Sequence, residues 1–286
     1  MTTPPKALAV TLGACLALVS GCGGSGTTKD RVTGLPPAEI LRQSATAAAG
    51  LTAFHVAVDT TVAADVAPGT LPKLVAQALE GPVTITGEGP VNGDAASFDF
   101  DANITGLPKL QGNVTKVEGQ LFAGVLGTDY RLDLPRAQVA AVVPGDLAMG
   151  LLSWATAPTE AGRETIDGAH TVHLAARLDT ARALADIAPA LQAIQGTRLS
   201  AATRRQLESA LTTKTVDLWI GVDDLLPRRV IAKLSYAGGV TALSALHKLT
   251  LDLTVSFTKL GETVAITAPS TTNVLDLARL RALASQ

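Results

Sequence analysis

Cysteine is nearly missing from this chain: only Cys15 and Cys22 occur in 286 residues. None follows residue 22, which excludes disulfides, thiol nucleophiles and cysteine-bound metals from everything downstream. Aromatic residues make up 3% of the chain against 47% hydrophobic residues overall, so a core must be built from aliphatic side chains. Neither sign of charge dominates, with 23 basic and 25 acidic residues, and no basic stripe exists to hold nucleic acid or anionic headgroups. Long apolar runs are missing too. A membrane helix needs about 20 consecutive apolar residues, and after the first thirty residues no segment reaches that length without a charge, proline or glycine.

What the chain does have begins at its start. Lys6 precedes an uncharged run from Ala7 to Leu18, followed by the small residues Ser20 and Gly21. This order reads as an export signal over residues 1–21. The run "VSGC", Val19 to Cys22, resembles the bacterial lipobox, which implies a diacylglycerol thioether on Cys22 and cleavage in front of it. A secretory signal with an incidental cysteine is the alternative. Several acyl chains hold a protein at a membrane where one alone is marginal. The expected product is therefore exported and lipid-anchored to the outer face of the cell membrane through Cys22. The Gly- and Ser-rich residues that follow predict a flexible tether over 22–34.

Beyond the tether, "PPAEILRQSATAAAGL" spaces Ile40, Leu41, Ala45, Ala48 and Leu51 along one face behind two prolines, which predicts a helix. From Phe54 the period becomes two, with Val56, Val58 and Val62 alternating against Asp59 and Thr61. The same alternation runs through "PVTITGEG", "SFDFDANIT", "NVTKVEGQLFAGVLG" and "DYRLDL", and predicts an antiparallel meander with one greasy face. "LPKLVAQALE", the stretch from Ala137 to Thr156, "TARALADIAPALQAI" and "SAATRRQLESALTT" read as helical, and "RETIDGAHTVHLAARL" as a strand pair turning at Asp167-Gly168. Near the end "VDLWIGV", "RRVIAKLSY", "LTLDLTVSFT" and "TVAITAP" predict four antiparallel strands, and "NVLDLARLRALAS" an amphipathic helix. About ten one-sided strands interleaved with amphipathic helices imply an α+β fold, a curved antiparallel sheet whose apolar face is covered by helices. Trp219 is an oddity, because its parity puts it opposite Leu218 and Ile220, on the wet face.

Signals for chemistry are few. His170 and His173 form the one histidine cluster, but residues three apart on a strand point to opposite faces, so no metal site is expected there. "SFTK", Ser256 to Lys259, has the letters of an S-x-x-K acylase motif but lies on a predicted strand without companion motifs. Asp99 and Asp101 alternate with Phe98 and Phe100 as the wet face of a strand demands, and Asp223-Asp224 precedes a proline turn. No nucleophile elbow, phosphate loop or dinucleotide fingerprint occurs. Neither a catalytic residue nor a cofactor is expected.

The runs "GRETIDGAHTVHLAARL", "VDLWIGVDDLLPRRVIAKL" and "LTLDLTVSFTKLGETVAITAP" resemble, in wording and order, the LppX/LprA/LprF/LprG family of actinobacterial envelope lipoproteins. The likeness covers roughly Leu35 to Pro269. It implies a single half-barrel domain similar to the lipoprotein carrier LolA over 35–270, with helices over the concave face; residues 271–286 beyond it read as a helical tail. It also implies binding and transport of multi-acylated lipids or glycolipids without catalysis; an envelope transporter is a partner to consider from the outer faces of the fold, not from the resemblance. The residues expected to line an aliphatic cavity are Val56, Val58, Phe98, Phe100, Leu218, Ile220, Leu251, Leu253 and Val255. Two features depart from the family: a longer helical segment around "GTRLSAATRRQLESALTT", and the tail after Pro269. The same residues would also serve in a solid core. The alternative is then a structural or regulatory surface lipoprotein whose outer faces bind an envelope protein.

Overall fold

The computed structural model describes residues 30–67, 81–125, 127–134, 139, 144–186, 200–240 and 246–276. Cys22, the signal and the helix expected over "LPKLVAQALE" lie outside them. The described strands form one open sheet in two meanders. The first runs β1 (Ala53–Val66), β2 (Val83–Asn92), β3 (Ala95–Asn103), β4 (Leu110–Val117), β5 (Gln120–Val125) and β6 (Thr128–Leu132). The second runs β7 (Ala155–Ile166), β8 (Ala169–Leu178), β9 (Leu211–Gly221), β10 (Pro227–Tyr236) and β11 (Leu246–Thr258). A short β12 (Val274–Leu275) completes the order β12-β6-β5-β4-β3-β2-β1-β11-β10-β9-β8-β7. Every pairing is antiparallel except β12 with β6. The α+β antiparallel architecture expected from the alternation is the one observed.

The two meanders join through their longest strands, β1 and β11, in the register Val56↔Phe257, Val58↔Val255, Thr60↔Leu253 and Val62↔Leu251. A slip of one residue would turn either greasy row to solvent, so the alternation itself dictates this register. The turn between β7 and β8 is set locally: Asp167 and Gly168 both have positive φ, 49° and 81°, the two-residue geometry that matches strand twist.

Three helices are fully bounded among the described residues. α1 (Pro37–Ala49) starts with Pro37 at its first position, where a missing N–H costs nothing, and buries Ile40, Leu41, Ser44 and Ala48. α2 (Pro144–Trp154) runs into β7, and α3 (Ala201–Ala210) into β9. Ser200 caps α3 by accepting from the Thr203 N–H at 3.0 Å. A further helical segment over 180–186 is capped by Asp179, which accepts from the Arg182 N–H at 3.0 Å.

Several boundaries differ from those read in the sequence. Residues 30–34, assigned to the tether, are docked on the sheet: Val32 is buried, the Arg31 N–H donates to the Val222 carbonyl at 2.9 Å, and Asp30 pairs with Arg163 at 2.6 Å. "TVAITAP" is not a strand. β1 and β10 already occupy both edges of β11, so the segment has no vacancy to fill. Instead it leads across to β6, pinned where Asn92 Nδ2 donates to the Val264 carbonyl and Thr271 Oγ1 to the Asp129 carbonyl. The expected tail helix opens as β12, and 277–286 lie outside the described residues. The helical readings through Thr156 and Thr213 stop at Trp154 and Ala210, where the chain turns into strands.

Candidate functional site

Alternation places the apolar residues of β1, β3, β8, β9, β10 and β11 on one inner face, and the helices determine what becomes of it. Over one part the face is filled. Leu218 and Ile220 of β9, Val172 and Leu174 of β8 and Val230 of β10 are wholly buried in a core that includes Ile40 of α1 and Leu152 of α2. Over another part the face is hollow. A cavity of about 340 Å³ lies between the sheet and a roof made by Leu151 and Trp154 of α2 with Thr180, Ala183 and Leu184 of the 180–186 segment. Its floor is Val56, Val58, Phe98, Ala232, Leu234, Leu251, Leu253 and Val255, and Leu178 and Leu211 complete the wall.

Glycine shapes the neighbouring sheet. Gly87 and Gly112 pair with Phe100 from its two sides, and a Cβ would run into the Phe98 ring at Gly87 and into the Phe100 ring at Gly112. Both rings therefore lie down along the sheet. Two hydrogen bonds brace the roof: Trp154 Nε1 donates to Asp186 Oδ2 at 2.7 Å, and the Asp179 N–H donates to the Trp154 carbonyl at 2.6 Å. The indole's polar atom is thereby spent on the roof, not turned to the cavity.

Thr180 is the one hydroxyl-bearing residue in the lining among the described residues. Its Oγ1 is buried and has no hydrogen-bond partner among the described residues. Such an atom costs about 1–3 kcal/mol relative to a satisfied one. Among the described residues no charged side chain lines the cavity.

Of the nine residues expected from sequence to line a cavity, Val56, Val58, Phe98, Leu251, Leu253 and Val255 come together around this one. Leu218 and Ile220 do not: they share the face but fall under the filled part, where the helices leave no space. Phe100 does not line it either. It lies two residues further along β3, against Gly112. Sequence reasoning missed Ala232 and Leu234, whose parity in "RRVIAKLSY" signals the inner face, and the roof residues, whose place depends on how the helices fold back.

Another concavity lies elsewhere and is wet. About 550 Å³ on the outer face is bordered by Asp59, Glu88, Asp99, Asp101, Gln111, Thr254 and Ser256. Lys109 and Gln111 donate to Asp101 at 2.9 and 2.8 Å, and these bonds, Lys109 first, hold its carboxyl below the usual range. That is the opposite of what a general acid needs. Ser256 lies in β11 and Lys259 in the turn after it, so "SFTK" makes no helical dyad. His173 and His170 sit on different partners, Asp217 at 2.9 Å and Thr165 at 3.2 Å. The described residues hold no group of three metal-ligating side chains.

Trp219 is accounted for by its neighbours across the strands. Its ring stacks on His173 with centroids 4.3 Å apart, the Arg229 guanidinium lies 5.9 Å from its centroid, and its indole N–H donates to Glu164 Oε1. A wet face can bury a tryptophan when aromatic stacking, a cation and a carboxylate each take one side of it.

No protein-family model matches the chain, and no curated protein matches it. Among solved structures it is similar to mycobacterial lipoproteins. LprF from Mycobacterium bovis is 16% identical with a TM-score of 0.48, over 82% of this chain and 96% of that one. Lipoprotein LppX from Mycobacterium tuberculosis is 16% identical with a TM-score of 0.40, over 80% and 97%. A LolA superfamily protein from Nitrosomonas europaea is 12% identical with a TM-score of 0.24, over 81% and 96%. The first two are the lipoproteins that the sequence runs around "VDLWIGV" resemble. At such identity the likeness is one of fold.

Proposed function

We propose that the chain is a lipid carrier of the cell envelope, anchored through lipid on Cys22, which shelters acyl chains of a lipid or glycolipid and performs no covalent chemistry. The observation that carries the reading is the cavity between the inner face and the α2 roof: among the described residues it is lined by hydrocarbon, apart from the covered Thr180 hydroxyl. A void of this kind expels water, and each methylene that enters it gains about 0.8 kcal/mol. The tether and the cavity suit one another, since a carrier held at the membrane meets its cargo there.

The test uses the full chain carrying Cys22→Ala, which acquires no lipid of its own. After incubation with vesicles of mixed envelope phospholipids and separation from them, native mass spectrometry is expected to show the protein with bound lipid. A clean unliganded mass at every lipid concentration overturns the reading and leaves an anchored scaffold. Metabolic labelling with an alkyne palmitate, lost in the same variant, checks the anchor separately.

A further inference from the structure

We propose that the cavity takes one acyl chain, over about a dozen carbons, and leaves the headgroup and any second chain outside. The ligand class is then a mono-acyl amphiphile, or one tail of a larger lipid, and not the enclosed multi-acylated lipid that the family resemblance implies. The inference rests on the lipid-carrier reading and narrows it.

Volume sets the length. A 150 Å³ engineered cavity that holds benzene gives about 25 Å³ per carbon, and the space per molecule of liquid water, about 30 Å³, is close to it. A cavity of about 340 Å³ then accommodates roughly 11 to 14 carbons. Two tails of ordinary membrane length exceed this more than twofold.

Chemistry sets what stays out. An ester, phosphate or sugar drawn into the cavity would lose its water and find no donor to replace it. The Trp154 N–H is bonded to Asp186, and the Thr180 hydroxyl oxygen is itself covered by protein. The polar end of the ligand must remain at the mouth.

Neighbouring structure sets the limit on growth. On one side the inner face is closed by wholly buried Leu218 and Val230. On the other, the Phe98 and Phe100 rings occupy the space over Gly87 and Gly112. No parallel slot for a second chain adjoins the first among the described residues.

The test is a chain-length series of saturated fatty acids from eight to eighteen carbons, titrated by calorimetry into the full chain carrying Cys22→Ala, with stoichiometry from native mass spectrometry. Affinity is expected to rise about fourfold per methylene, the equivalent of about 0.8 kcal/mol, and to level off near twelve to fourteen carbons with one acid bound. Ala232→Leu, which fills part of the floor, is expected to move the plateau about three carbons shorter. A rise that continues to eighteen carbons, two acids per protein, an unmoved plateau in the variant, or dipalmitoyl phosphatidylglycerol binding more than about a hundredfold tighter than palmitate each overturns the inference while sparing the carrier reading. Failure of every acid and of the phospholipid to bind removes the carrier reading itself.

Discussion

Ala232→Leu separates a hollow from a packed core, because the two give opposite signs. Ala232 lies in mid-strand on β10, opposite Leu253 and Val216, with its methyl at the cavity floor. Leucine adds three carbons, about 75 Å³ at roughly 25 Å³ per carbon, against a void of about 340 Å³. Filling space that is already empty recovers about 24 cal/mol per Å³, or about 1.8 kcal/mol. Ordering a leucine side chain takes back about 0.5–1 kcal/mol. The net is a gain of about 1 kcal/mol, which in a domain of this size raises Tm by roughly 2–4 °C. In a filled core the same change overpacks and costs about 1–3 kcal/mol. The ligand sees the reverse. Three methylenes at about 0.8 kcal/mol each are displaced, so a twelve- to fourteen-carbon fatty acid binds roughly 50-fold more weakly. Thermal melts of the lipid-free protein and calorimetric titration of the two proteins measure both effects. A Tm that falls by several degrees, or an affinity that does not change, refutes the hollow beneath α2.

Three further outcomes are expected. Thr180→Val replaces a buried hydroxyl that has no partner with a methyl group, and should raise the stability of the lipid-free chain by about 1 kcal/mol; a loss of similar size in urea unfolding means the hydroxyl is satisfied after all. Gly112→Ala puts a Cβ against the Phe100 ring and the Gly124 carbonyl oxygen, so chemical denaturation should show a loss of about 1–3 kcal/mol, with wild-type stability as the contrary result. The Asp30 carboxyl is held far below its ordinary value, first by the Thr33 hydroxyl and then by Arg163. A depressed carboxylate stabilises the fold fully above its unfolded value near pH 4 and loses that contribution as pH falls toward the folded value. The wild type should therefore melt above Asp30→Asn at pH 7 and converge with it in strong acid; a difference that widens on acidification contradicts the pairing.

Much of the sheet was legible in the residues. The alternation of Leu249 to Thr258 and of Phe54 to Val62 predicted β11 and β1, and Asp167-Gly168 predicted a turn whose two positive φ values are observed. These signals are local. "TVAITAP" alternates as well, yet forms no strand, because whether a strand forms depends on a free edge and β11 has none. That vacancy is decided by β1, some two hundred residues away in sequence. The cavity shows the same limit more sharply. Leu218 and Leu253 share one inner face and one chemistry, yet Leu218 is wholly buried while Leu253 borders empty space. What distinguishes them is where α2 and the 180–186 segment come to rest, and the Trp154–Asp186 brace that secures them joins residues 32 apart. Trp219 was misfit by parity alone and is explained only by His173, Arg229 and Glu164 on three other strands.

The longer helical segment around "SAATRRQLESALTT" is also resolved in part. α3 buries none of its residues, so it does not fill the cavity, but the strand it leads into supplies Leu211 to the wall. The cavity is thus assembled from the sheet and the folded-back helices, with α3 standing outside it.

The most direct measurement places a heavy atom in the hollow. Crystals of the Cys22→Ala chain grown with 12-bromododecanoic acid, measured at the bromine edge, are predicted to show a single anomalous peak between Trp154 and the row Val58, Leu253 and Ala232. Anomalous density confined to the outer surface, or ordered water filling that space, would contradict the hollow on which the carrier reading stands.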